Sequence, residues 1–154
     1  MPYNRNKNKK LENVKITYNI NMKIVFETKP LLEKVKNVAP TAEAKQTLMI
    51  LGNMVIKVES GVALFTTSDL EIQVSSTLLC ESDENCEFSL PARKLLEILN
   101  ALSDYDKVTF TITSSKVDIT AGKSKISLPT LPTSDYPYMD YIDEGELKEI
   151  ASDD

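Results

Sequence analysis

Lys29-Pro30-Leu31-Leu32-Glu33-Lys34-Val35 is answered later in the chain by Arg93-Lys94-Leu95-Leu96-Glu97-Ile98-Leu99. In the first copy Leu31, Leu32, Val35 and Val38 form one apolar stripe at helical spacing. Leu95, Leu96, Ile98, Leu99 and Leu102 do the same in the second. Each copy follows a short β-type segment ending near a phenylalanine, Phe26 or Phe88, and each precedes further alternating segments. Those echo too, Val62-Ala63-Leu64-Phe65-Thr66 against Val117-Asp118-Ile119-Thr120-Ala121. A strand-helix-strands unit written twice predicts an α+β domain of two halves related by a pseudo-twofold, with two helices on one face of antiparallel sheets.

Working outward, Thr28 is expected to cap the first helix and Pro40 to end it. Pro91 is expected to open the second helix. Residues 54–58 and Val62 to Thr67 read as a hairpin around Glu59-Ser60-Gly61. Leu70, Ile72 and Val74 alternate with polar residues and predict a third strand with one wet face. An acidic loop spans Glu81 to Asn85, and three strands are expected over 107–113, 116–121 and 124–128.

The 154 residues suit one domain with tails. We read 1–21 as a disordered basic leader, 22–138 as the folded domain and 139–154 as an acidic tail. The net charge of -5 is uneven. Residues 1–21 carry five Lys/Arg and one Glu, residues 140–154 seven Asp/Glu and one Lys. A mildly acidic body argues against coating DNA by bulk charge, while a local basic stripe still sets the field in a groove.

Histidine is absent, which removes Ser-His and Cys-His nucleophile pairs and the commonest metal ligand. Cys80 and Cys86 are the only cysteines and cannot complete a zinc site, so no metal or other cofactor is expected. They read either as a short disulfide loop around Ser82-Asp83-Glu84-Asn85 or, favoured by the lack of a secretory signal, as free thiols of a cytoplasmic protein. No apolar run is long enough to span a bilayer. There is no phosphate-binding glycine loop and no nucleophile elbow. Thr67-Ser68-Asp69 reads as a turn between strands rather than as a nucleophile with its acid. The chain is read as non-catalytic.

On a helical wheel Lys29, Glu33, Lys36 and Asn37 lie opposite the first apolar stripe, and Arg93, Lys94, Glu97 and Asn100 opposite the second. Cations in a first turn are not what the helix dipole favours. Two equivalent faces offering cations and an amide predict backbone contact with a regular polyanion, with Lys29, Lys36, Arg93 and Asn100 as candidates. No aromatic platform beside them supports base stacking.

Thr47-Leu48-Met49-Ile50-Leu51-Gly52-Asn53, Thr67-Ser68-Asp69-Leu70-Glu71, Leu90-Pro91-Ala92-Arg93-Lys94 and Ser127-Leu128-Pro129-Thr130-Leu131-Pro132 with Asp135-Tyr136-Pro137 stand in an order and spacing that resembles the first domain of the bacterial DNA polymerase III β subunit, the sliding clamp. The resemblance runs from Met22 to about Tyr138. It implies the DNA clamp fold and a non-catalytic processivity factor. Family clamps are rings of two subunits with three similar domains each, helices lining the hole around duplex DNA, and they serve polymerase and clamp loader. By the same resemblance Lys45 and Arg93 take DNA-facing positions. Lys94, Lys123, Lys125, Ile126 and Leu128 match the boundary with a partner subunit. Met49 replaces a usual proline. The client pocket of the family lies in later domains. Three readings follow: a clamp domain that is one of three, a stand-alone interaction module that caps a full-length clamp and blocks ring closure, or a ring assembled from many copies, which would need complementary ends that a single basic edge does not supply.

Overall fold

The computed structural model describes residues 22–42 and 48–138. The expected leader 1–21, the tail 139–154 and Lys45 lie outside the described residues. The elements in order are β1 (Met22–Glu27), α1 (Thr28–Val38), β2 (Asn53–Glu59), β3 (Val62–Ser68), β4 (Gln73–Leu79), β5 (Glu81–Ser82), β6 (Cys86–Pro91), α2 (Ala92–Ala101), β7 (Lys107–Ile112), β8 (Lys116–Ala121) and β9 (Ser124–Pro129). Short 3-10 turns cover Ala39–Thr41, Met49–Gly52 and Thr133–Asp135.

One antiparallel sheet has the order β5-β1-β7-β8-β9, the other β4-β3-β2-β6. Each half therefore lends its first strand to the other half's sheet. β1 joins β7, β8 and β9, while β6 joins β2, β3 and β4. The registers agree residue by residue: Glu27 pairs with Lys107 as Pro91 pairs with Asn53. The pseudo-twofold expected from the doubled sequence is present, but the strand exchange was not legible in it, since hydrophobic alternation carries no information on which strand is the neighbour.

The echoes noted in sequence are slipped against this symmetry. Val55 pairs with Thr66 and Thr109 with Thr120, so Thr66 corresponds to Thr120, Phe65 to Ile119 and Ala63 to Val117. The sequence match had set Phe65 against Thr120. One residue of slip turns every side chain to the opposite face. Burial supports the structural pairing, with Ala63, Phe65, Val117 and Ile119 all fully buried. Likewise Phe88 corresponds to Ile24, and Phe26 to Leu90.

Both halves fill one core. Leu31, Val35 and Val38 of α1 and Leu95, Leu99 and Leu102 of α2 meet Ile24, Phe26, Met54, Ile56, Phe65, Leu90, Phe110 and Ile119. Phe110 packs edge-on against Phe26 at 5.1 Å and against Phe88 at 6.4 Å between ring centroids. Each such side chain contributes about 1.5–3 kcal/mol by leaving water.

Three local expectations change. Thr28 is the first residue of α1, not its cap; Glu27 takes the cap position without a side-chain bond, and the buried Thr28 hydroxyl has no partner among the described residues. Instead the Thr28 backbone N–H donates to the carbonyl of Asp106 at 3.0 Å. Pro91 ends β6 and sits at the cap position of α2, one residue before the helix. The third strand begins at Gln73, not Leu70. Leu70 and Ile72 are exposed in a turn where Asp69 Oδ1 accepts the N–H groups of Glu71 and Ile72. A side chain that satisfies two backbone donors there ends the ladder, which the alternation of apolar residues could not reveal.

Candidate nucleic-acid interface

α1 and α2 lie side by side. They run antiparallel. The N-terminus of α1 is bonded to Asp106, in the loop leaving α2, and the turn following α1 packs against α2. Their outward residues repeat under the pseudo-twofold, Lys29 with Arg93, Glu33 with Glu97 and Lys36 with Asn100, and all six are exposed. The wheel predictions for both helices hold, because a stripe of 100° commits one side to the core and leaves the other to solvent.

Lys94 bonds Glu97 within its own helix at 3.6 Å, a pair worth little at such exposure. Lys29, Lys36 and Arg93 enter no ion pair among the described residues. They are long, solvated cations on one surface, suited to a phosphate backbone rather than to a pocket ligand. No group of three or more His, Cys, Asp or Glu that could hold a metal occurs among the described residues.

Among the described residues the two ends of the helix pair differ in charge. At the α1 N-terminus a groove of about 480 Å³ is lined by Lys29 together with Glu27, Asp104, Tyr105, Asp106 and Lys107. Counted back from the equivalent strand starts Lys107 and Asn53, the positions of Asp104 and Asp106 correspond to Ile50 and Gly52. Ile50 is buried against Val55 and Tyr136. The Arg93 end therefore has no acids at these positions. The helix wheels missed this, since the acids lie in the loop after α2.

The residues expected at a subunit boundary lie on α2, at the β8–β9 turn and on β9. Lys123 and Lys125 are exposed at the β8–β9 turn and on β9. Lys125 bonds Asp118 at 3.7 Å, and Lys116 bonds the same carboxylate at 3.8 Å. The Ser127 hydroxyl donates to Asp118, and that bond, with the two lysines, holds the carboxyl below its usual range. Ile126 and Leu128 alternate with Lys125 and Ser127, so both face the domain's own core; Leu128 is buried and Ile126 half-buried.

Thr67 and Ser68 end β3 rather than lying in the turn, which starts at Asp69; the Thr67 hydroxyl donates to the Val38 carbonyl, and Ser68 Oγ accepts the Leu70 N–H. Bonds from the Ile72 and Glu71 N–H groups hold the Asp69 carboxyl below its usual range. Cys80 and Cys86 are free thiols, half-buried against the core. Burial raises both, Cys86 to about 11 with help from Cys80 and Glu84 nearby.

Comparison with known proteins agrees with this architecture. Residues 22–140 match the family model of the DNA polymerase III beta subunit, N-terminal domain. A beta sliding clamp of Vibrio harveyi is 35% identical over 134 residues, 86% of this chain and 92% of that protein. The beta sliding clamp of Escherichia coli K12 is 31% identical over 120 residues, 77% of this chain and 33% of that protein. The crystal structure of a Pseudomonas aeruginosa sliding clamp bound to griselimycin superposes with a TM-score of 0.75 at 30% identity, covering 80% of this chain and 34% of that one. A Caulobacter crescentus clamp gives 0.74 at 29% identity, over 78% and 32%. The chain thus spans about a third of the length of most of these relatives, the Vibrio harveyi protein excepted. It belongs to the family of DNA polymerase III beta subunits, the beta sliding clamps, and corresponds to their N-terminal domain.

Proposed function

We propose that this domain is one arc of a ring around duplex DNA, with α1 and α2 lining the hole, and that it serves processive replication by tethering the polymerase. The observation that carries the reading is the antiparallel helix pair with Lys29, Lys36, Arg93 and Asn100 exposed on its outer side. A ring holds its partner by topology, so each phosphate contact stays weak and exchangeable. Such a role asks for positioned charge and no chemistry, and its setting is the cytoplasm. The remaining domains of a ring, the polymerase and the clamp loader are the partners this reading requires. Lys94, Lys123, Lys125, Ile126 and Leu128 are offered as its side of the subunit boundary, and Lys45 as a further DNA contact.

The test is fluorescence anisotropy with a short DNA duplex over a range of salt. We expect weak, sequence-independent binding that falls steeply as salt rises, weakened by Arg93→Ala and by Lys45→Ala. Binding that ignores both substitutions, or that is insensitive to salt, overturns the reading.

A further inference from the structure

We propose that the helix face grips the duplex from one end only: Asp104 and Asp106 screen Lys29 from phosphate, while Arg93 and Lys36 carry the contact. This rests on the reading of that face as DNA-lining and goes beyond it by ranking its cations.

The pseudo-twofold makes the comparison internal. Lys29 and Arg93 hold equivalent first-turn positions on equivalent helices, both exposed, both free of ion pairs among the described residues. Their surroundings differ. Lys29 shares its groove with the carboxylates of Glu27, Asp104 and Asp106, with Lys107 as the other cation. The last of these acids is locked beside the helix by its own backbone, through the Thr28 N–H bond of 3.0 Å. The positions matching Asp104 and Asp106 at the Arg93 end are Ile50 and Gly52, which carry no charge. Antiparallel packing then adds to the contrast. Lys36 stands to Arg93 as the uncharged Asn100 stands to Lys29, so the neighbouring helix brings a cation to the Arg93 end and none to the Lys29 end, where Lys107 is paired with Glu81 at 3.7 Å. Charges in one groove lie within a Debye length of about 10 Å at 0.1 M salt, so a phosphate approaching Lys29 also feels the acids. One weak end would let the face slide along the backbone without a second anchor.

Asp104 and Asp106 are exposed and enter no ion pair among the described residues, so Asn at both positions leaves the backbone bond to Thr28 intact. Duplex binding is measured over a salt series for wild type, Arg93→Ala, Lys29→Ala, Asp104→Asn/Asp106→Asn, and the last combined with Lys29→Ala. Asp83→Asn/Glu84→Gln, in the loop before β6, controls for net charge. We expect Asp104→Asn/Asp106→Asn to bind about five-fold tighter at low salt. Its salt slope steepens by about 0.9, the value of one added phosphate contact. Lys29→Ala alone changes little, and in the Asn background it removes the gain. The proposal is overturned if Lys29→Ala weakens wild type as much as Arg93→Ala does. It is overturned equally if the charge control tightens binding as much as the Asp104/Asp106 pair. If Arg93→Ala itself has no effect, the DNA-lining reading falls, and this one with it.

Discussion

Ser89 and Leu131 hold each other twice: the Ser89 hydroxyl donates to the Leu131 carbonyl at 2.8 Å and accepts the Leu131 N–H at 3.2 Å. The same oxygen accepts from the Asn53 amide at 3.0 Å, deep between β2 and β6. In the other half the corresponding contact is a true strand pair, Val25 with Glu81 in β1 and β5. Each half thus sends its chain across to seal the first strand of its own half, by a backbone ladder in one case and by a serine in the other.

That node is buried, so losing it exposes no compensating water. Ser89→Ala leaves the Asn53 amide and the Leu131 N–H without their partner, which costs about 1–3 kcal/mol. Urea denaturation should show a lower midpoint with an unchanged slope.

Phe110 touches both Phe26 and Phe88, each lent by one half to the opposite sheet. Phe110→Ala should cost about 3–5 kcal/mol, a large share of the about 5–15 kcal/mol that holds a domain folded. Loss of a cooperative thermal transition in calorimetry, or a drop of many degrees in its midpoint, is the expected outcome.

Gly122 turns β8 into β9 at φ +57°, and a Cβ there would lie 2.5 Å from the edge of the Tyr105 ring. Tyr105 is partly exposed and can move aside, so most of the cost of Gly122→Ala is the left-handed backbone, about 1 kcal/mol. Thermal melts should show that loss, and Tyr105→Ala in the same chain should recover only the smaller steric part.

Asp118 is held below its ordinary value by the Ser127 hydroxyl and then by Lys116 and Lys125. A carboxylate whose folded value is lowered contributes stability above its unfolded value, and that contribution disappears as pH falls through the folded one. Wild type should exceed Asp118→Asn in stability at neutral pH. The two should converge in denaturation curves taken at progressively more acid pH, below the ordinary carboxylate value of 3.8.

Burial raises the thiols of Cys80 and Cys86, the latter to about 11. Since the thiolate is the nucleophile, alkylation by iodoacetamide at pH 8 should be slow in the folded protein and fast in urea. Intact mass over time reads both rates.

Both helices were legible because their apolar stripes span about two turns, and their polar faces followed by simple exclusion. The turn at Asp69 was misread as strand because Leu70, Ile72 and Val74 alternate regardless of what the Asp69 carboxylate binds. The alternation of β9 gives Ile126 and Leu128 a common face, toward the domain's own core, a packing that becomes visible only with the sheet in place. The acids around Lys29 escaped notice because they belong to the loop after the other helix.

Periodicity and the doubled motif were enough to establish two halves, two amphipathic helices and which residues leave water, since these depend on spacing along one segment. Strand exchange between the sheets, the Ser89 node and the unequal charge at the two helix ends depend on which segments become neighbours. Those are contacts between residues far apart in the chain, and they exist only once burial has chosen a single packing of both halves.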